Sequence, residues 1–521
     1  MARPEIVIGL VGALGTDLGA VAKAIEQVLS EMTYNTLTIR LSQVMKDYLD
    51  HAPIEGVSLI DNPRELRLKS YMDAGNAVRK AMGNGDALAQ LTIAKVRKER
   101  ASANGGITIA EREQPLDSQA YLLQSLKHPD EVRLLRDVYG PSFFLISAYA
   151  PKQQRLAHLA DQIVRSHNRF RAEEKESEAL ALVNRDEEET DDPLGQKVRE
   201  TFWRGDAYID ATIGPDMEKA VRRVIQLWFG HPFHTPTREE YLMFVARAAA
   251  YRSASLGRQV GAVIATADGS IISTGTNEVP KAGGGQYWDS DEGDARDHIN
   301  GYDSSDFMRQ ELLGDILERL QPWLTPDKQN SVQDQVKELL YGDNPIMKGA
   351  EFNALTEFQR PVHAEMSALI DAARRGVAVQ DATLYSTTFP CHGCARHIVA
   401  AGIRRVVYIE PYAKSLARTL HSDSLSVDQQ RPDDGKVRFE PFVGLAPRRY
   451  LDCFAMGTRK DKQGEVLNWS VIEARPHLKD WAHILTVINE QNTVYALANS
   501  RQEQKRIEIE ASSTEEKGNE V

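Results

Sequence analysis

At 521 residues, with 42% hydrophobic and 26% charged residues, the chain has the composition of a globular protein, and its length is about three or four times what one core needs. A formal net charge of −12 argues against general affinity for DNA or RNA, which rests on cationic surface that neutralises phosphates, but it leaves room for a local pocket for a small anion. No apolar run approaches the roughly 20 residues of a membrane span, Met1 to Glu5 lack signal-peptide design, and three cysteines suit a reducing compartment, so a cytoplasmic protein is expected, of two large domains plus extensions.

The apolar run Ile6 to Val11 reads as a strand. A loop, Gly12-Ala13-Leu14-Gly15-Thr16-Asp17, follows, and then a helix with Leu18, Val21, Ala22, Ile25, Val28 and Leu29 at helical spacing. A glycine loop between strand and helix can offer N–H groups to phosphate, which makes Gly12, Gly15, Thr16 and Asp17 candidate nucleotide-binding residues. The phosphate-loop pattern G-x-x-x-x-G-K-[ST] is not met, because Asp17 stands at its second glycine and Leu18 at its lysine. Without that lysine, Asp17 repels phosphate unless a metal such as Mg²⁺ intervenes. A nucleotide-binding or purely structural domain is favoured over a working kinase, and glycines at such a turn also serve packing.

Strands are expected at Thr36 to Leu41, Ala120 to Leu123 and Ser142 to Tyr149. Helices are expected at Pro63 to Met82, Asp86 to Ala103, Pro129 to Val138 and Pro151 to Phe170. Such alternation predicts a parallel sheet with helices on both faces. Residues 171–192 are strongly charged and read as an exposed excursion. From Gly195 to Phe229 the pattern is helical and partly apolar, so a first domain is placed at 1–232, ending where Pro232 and Pro236 interrupt the pattern.

The second domain is placed at 233–475. It opens with a helix capped by Thr237 and Glu240 and a hairpin turning at Asp268-Gly269. An insertion, 281–360, begins with Gly283-Gly284-Gly285-Gln286-Tyr287-Trp288, and a loop of that size is usually functional or an assembly element. A helix from His363 to Arg375 stops at Gly376. The strand Ala382 to Thr387 delivers Pro390 to the first turn of another helix, whose dipole favours thiolates at Cys391 and Cys394. Further strands are expected at Arg404 to Glu410 and Lys436 to Val443. Residues 476–521 are read as a C-terminal helix, Trp481 to Ala498, and a disordered polar tail.

The chemistry concentrates in two short segments, His363-Ala364-Glu365 and Pro390-Cys391-His392-Gly393-Cys394. One imidazole and two thiolates supply three ligands for a single Zn²⁺, leaving a fourth position for water. Glu365, two residues beyond the ligand histidine, is then free to move protons. H-x-E followed by P-C-x-x-C is the signature of zinc-dependent nucleobase deaminases. A C-x-x-C pair alone could be a structural zinc clip or a redox pair, but with Cys453 the only other thiol a closed four-cysteine site is impossible.

The order of hairpin, His363-Ala364-Glu365 helix, strand, cysteine helix and strand resembles the cytidine deaminase fold, and within it the deoxycytidylate deaminases. The segments Ser255-Leu256-Gly257-Arg258-Gln259-Val260-Gly261-Ala262-Val263-Ile264 and Ser273-Thr274-Gly275-Thr276-Asn277-Glu278-Val279-Pro280 carry the closer likeness. The whole chain, with its P-loop-like start, its Gly-Gly-Gly-x-Tyr-Trp insertion and Pro447-Arg448-Arg449-Tyr450, is similar to bacterial anti-phage deoxycytidine nucleotide deaminases. That resemblance implies an N-terminal P-loop kinase-like parallel sheet joined to a cytidine deaminase-like α/β/α sandwich. It implies deamination of dCTP and dCMP, draining dCTP during phage infection, with Glu365 moving protons. Asn277 and Arg258 would bind substrate, and the backbone at Ala364 would read the base edge. A homo-oligomer and an inhibitory small RNA are implied as well. Where the family has T-G-Y-N-G, this chain has Thr276 and Glu278 in place of the tyrosine and last glycine. Rival readings are a deaminase of tRNA or single-stranded DNA, which the acidic balance disfavours, and a nucleotide-sensing protein whose zinc is structural.

Overall fold

In the computed structural model, which describes residues 3–499 apart from 107, 168–174, 188, 190–193, 213, 322–330, 344, 356, 413, 428–434, 456 and 479–484, strand β1 (Ile6–Val11) is buried along its whole length. A strand without polar alternation suits the middle of a parallel sheet covered on both faces. Ile6, Ile8 and Leu10 enter one core, and Val7 and Val11 enter another. The other strands of this sheet are β2 (Asn35–Arg40), β3 (Gln119–Gln124), β4 (Phe143–Tyr149) and β5 (Ala207–Asp210). They run in the order β5-β4-β1-β3-β2, all parallel, and the two-residue strand Gly444–Leu445 pairs antiparallel with β5.

The chain divides into two compact units, the first comprising residues up to Glu240 and from Val443 onward, the second Tyr241–Phe442. This corrects the expected division at 232 and 475. After residue 442 the chain returns to the first sheet, where Leu445, Cys453 and Ala474 join the core of β1. Thr237 and Glu240 form the expected reciprocal cap (Thr237 N–H to Glu240 Oε2 2.8 Å, Glu240 N–H to Thr237 Oγ1 3.2 Å), and Glu240 also accepts from Leu445 N–H at 2.8 Å. The boundary thus falls inside the helix Arg238–Ala250 and not at the prolines before it.

Two other expectations change. The stretch 195–229 contains strand β5 as well as helices Val198–Phe202 and Pro215–Trp228. Within the charged excursion, Glu176–Glu187 is a helix whose Ala179, Leu182, Val183 and Asp186 are buried. Its acids are matched by distant partners, Lys127 for Asp186 and Arg155 for Glu187, so local charge density misled. Residues 171–174, 188 and 190–192 of the excursion lie outside the described residues, as do Trp481 and the polar tail; residues 485–499 are helical.

The second unit is built on β6 (Gly261–Ala265), β7 (Ile271–Thr276), β8 (Thr383–Thr388), β9 (Arg405–Glu410), β10 (Leu425–Val427) and β11 (Val437–Pro441). The order is β10-β11-β9-β8-β6-β7, with β6 antiparallel to both neighbours and the remaining pairs parallel. Two glycines let helices lie against this sheet. A Cβ on Gly275 would stand 2.1 Å from Ala364 O, and one on Gly261 would stand 2.0 Å from Ala246 O. Gly275 pairs with Ala262, so Gly275 and Gly261 face opposite sides. Helices Ala364–Arg374 and Arg238–Ala250 therefore cover opposite faces, which makes this unit a three-layer α/β/α sandwich.

Candidate active site

His363 sits immediately before the helix Ala364–Arg374, in extended backbone at its N-cap. Cys391 holds the same position before the helix His392–Ala400, and Cys394 lies in that helix's first turn. Pro390 precedes the cap, two positions before the first helical residue, because the Cys391 side chain takes the capping role by accepting from Cys394 N–H at 3.3 Å. Both helices pack against β6 and β8 through Ala364, Ala368, Cys394, Ala395 and Ile398. Two helix starts thus meet at one end of the sheet.

There His363 Nδ1 lies 3.3 Å from Cys391 Sγ and 3.3 Å from Cys394 Sγ. The three ligand atoms all fall within 4.8 Å of one another. For a tetrahedral zinc, bond lengths of about 2.1 Å to nitrogen and 2.3 Å to sulfur put N and S roughly 3.5 Å apart, so the cluster fits the ion. His363 Nε2 contacts Gln359 Oε1; a proton on Nε2 leaves the Nδ1 lone pair for the metal, the usual second-shell arrangement.

The charges agree. The hydrogen bond from Cys394 holds the Cys391 thiol down at about 4, while its partner Cys394 is pushed well up. Burial would depress the His363 imidazole, but the Cys391 contact outweighs it and raises the value. A thiol held down in this way is available as a thiolate, the form that binds a divalent cation.

Glu365, on the first turn of the same helix, is 4% exposed. Burial pushes its carboxyl above the ordinary carboxylate value, and Ser386 Oγ on β8 donates to Glu365 Oε1 at 3.1 Å. His363, Ala364, Glu365 and Cys391 line one cavity, together with Arg258, Asn277 and Tyr412. Ala364 begins its helix, so its N–H has no acceptor within the helix.

Asn277, at the end of β7, reaches the cavity wall but has both ends of its amide engaged. Its Nδ2 donates to Arg258 O at 2.6 Å, and its Oδ1 accepts from Val260 N–H at 2.6 Å. It fixes the 258–260 segment. The Arg258 guanidinium stands 3.9 Å from Glu410 and lies over the Tyr412 ring at 5.4 Å. Glu410 is held more closely by Arg247, at 2.9 Å.

Several residues at the site carried no sequence signal. Ser386 was one position in a strand, and Gln359, Asp303 and Ser304 line the cavity from the insertion. The insertion is tied down where the chain departs from the family pattern. Glu278 is buried and accepts from Ala254 N–H at 2.7 Å and Val279 N–H at 2.9 Å, with Arg296 of the insertion 4.0 Å away. Gln286 Nε2 donates to Thr276 O at 2.7 Å. A glycine at 278 would leave Arg296 without that charge.

Residues 236–410 match the cytidine and deoxycytidylate deaminase zinc-binding region. The second unit therefore carries a zinc-binding region of the cytidine and deoxycytidylate deaminase type. The chain is 44% identical over 54 residues to the deoxycytidylate deaminase of Enterobacteria phage T2, covering 10% of this chain and 29% of that protein. It is 26% identical over 224 residues to the human deoxycytidylate deaminase, covering 43% of this chain and 90% of that one. The phage T2 and T4 enzymes are thus matched over less than a third of their length. A crystal structure of dCMP deaminase from cyanophage S-TIM5 in complex with dCMP and dUMP aligns at 18% identity and a TM-score of 0.22, covering 40% of this chain and 98% of that one.

In the first unit, Gly12, Gly15, Thr16 and Asp17 sit between β1 and the helix Leu18–Glu31. Asp17 caps that helix, accepting from Ala20 N–H at 3.0 Å. Gly15 has φ +90°, and a Cβ there would stand 2.4 Å from Arg155 O. Among the described residues no helix is long and apolar enough to cross a membrane.

Proposed function

We propose that the second unit hydrolyses the exocyclic C4 amine of deoxycytidine nucleotides, converting dCMP and dCTP to dUMP and dUTP with release of ammonia. The observation that supports this best is the placement of Glu365. A buried carboxylate, oriented by Ser386, lines the same cavity as His363 and Cys391 of the cluster that Cys394 completes. His363, Cys391 and Cys394 would hold a zinc ion, which would supply water acidified to near neutrality. Glu365 takes the proton of the attacking water and passes it to N3 of cytosine. The same carboxylate then takes the proton left on the new C4 hydroxyl and delivers it to the departing amine, so one group serves as base and as acid in turn. Burial, which favours its protonated form, suits it to the second task.

The backbone at Ala364 meets the base edge, and Arg258, stacked over Tyr412, is placed to meet phosphate. Asn277 serves by holding Arg258 and Val260. The activity on dCTP, assembly into a homo-oligomer, control by a small RNA and a role against phage rest on the family resemblance and are part of this proposal. Incubating the purified chain with each cytosine nucleotide and with cytosine-containing oligonucleotides tests it. Ammonia release from the free nucleotides supports the reading, and release from oligonucleotides alone overturns it.

A further inference from the structure

The first unit contains another cavity, walled by the glycine loop, by Arg40 at the end of β2, and by Arg64 and Arg67 at the start of the helix Arg64–Met82. Part of the loop is already engaged within the chain. Leu14 N–H donates to Asp186 Oδ2 at 2.7 Å, Thr16 N–H to Ala13 O at 3.0 Å, and Leu18 N–H to Thr16 O at 3.0 Å. Asp186 is fully buried, and its other oxygen accepts from Lys127 Nζ at 2.7 Å. A carboxylate of the chain itself therefore holds the Leu14 amide and also engages the lysine nearest it.

The arginines differ. Arg79 is committed to Glu131 at 3.1 Å, and Arg67 lies 3.9 Å from Asp61, which Lys46 already holds at 3.1 Å. Among the described residues, neither Arg40 nor Arg64 has a carboxylate within ion-pair distance; Arg40 Nε donates to the neutral Gln124 at 3.1 Å. Arg64 Nε is buried without a partner, and so are Thr16 Oγ1 and Arg79 Nε on the same cavity wall. Burial, and after it the neighbouring Arg67, hold the Arg64 guanidinium below its ordinary value. Buried polar atoms are normally paired, so unpaired donors and unmatched arginines around one cavity call for an anion with several acceptor oxygens. Guanidinium forks match a phosphoryl group in that way.

We propose that the first unit binds a small phosphate monoester, its phosphoryl oxygens held by Arg40 and Arg64 with the Thr16 hydroxyl. The site is independent of the deaminase-type domain.

Equilibrium dialysis of the full-length protein tests this, with inorganic phosphate, 2-deoxyribose 5-phosphate and the four deoxynucleoside 5′-monophosphates as probes. At least one probe other than dCMP, which the deaminase cavity also takes, is expected to bind with an affinity that falls about tenfold or more in both Arg64→Met and Arg40→Met, and that Arg258→Met leaves unchanged. The tightest probe shows whether sugar or base adds to the phosphate. Binding of none of them, binding that survives both substitutions, or binding lost only with Arg258→Met overturns the proposal. Unfolding midpoints are measured alongside. If Arg64→Met lowers the midpoint, Arg40→Met decides, together with Arg64→Lys, which should retain part of the affinity.

Discussion

Ser386 Oγ donates to Glu365 Oε1 at 3.1 Å, joining strand β8 to the first turn of the helix that begins after His363. The two residues are 21 positions apart, and the bond orients a carboxylate that burial shifts toward its protonated form. A hydrogen bond to a charged group contributes about 1.5–3 kcal/mol. Ser386→Ala is expected to lower kcat on dCMP by about tenfold or more, with zinc content and KM little changed. Steady-state kinetics beside metal analysis checks this; a variant with parent kcat removes Ser386 from the proton path.

Gln359 is expected to act on the metal through His363. Losing such an outer partner typically costs about 10–100-fold in metal affinity. Competition of Gln359→Ala with a chromophoric chelator should show weaker zinc retention, and excess zinc should restore turnover. Cys391→Ser should lose zinc outright. Cys453 belongs to the core of the first unit, where burial pushes its thiol up to about 12, so Cys453→Ala should leave the zinc content unchanged.

Asn277→Ala removes the bonds to Arg258 O and Val260 N–H and should loosen one wall of the cavity. KM for dCMP is expected to rise more than kcat falls, since the reacting groups themselves are untouched. A fall in kcat at constant KM would contradict a role limited to holding that segment.

The His363, Glu365, Cys391 and Cys394 set was legible because each segment is short and each ligand sits at a helix start, so local sequence determines its geometry. The strands β1, β4 and β6 were legible for a similar reason, as apolar runs bounded by turns. Ser386 and Gln359 were not, since they reach the site through β8 register and through an insertion whose path depends on Glu278, Gln286 and Arg296. The buried half of the charged excursion was misread because Lys127 and Arg155, which neutralise it, come from other elements. Strand β5 has only four residues, too few for periodicity to separate it from the helices around it.

Gly275 marks where β7 meets the helix Ala364–Arg374. A Cβ there would stand 2.1 Å from Ala364 O and 2.5 Å from Ala368 N, and overpacking of this kind costs about 1–3 kcal/mol. Gly275→Ala is expected to lower the unfolding midpoint by about 2–4 °C per kcal/mol lost and to reduce turnover by shifting the helix that carries Glu365. Calorimetry and kinetics on one preparation check both effects.

The chain's chemistry is tested most directly by Glu365→Ala, assayed for bound zinc and for ammonia released from dCMP and dCTP. Zinc should remain at the parent level, because the carboxylate is not a ligand, while ammonia release should fall by at least about a hundredfold, the lower range for a lost general acid–base. A variant that keeps its zinc and releases ammonia at the parent rate would contradict the assignment of Glu365, and with it the proposed deamination site.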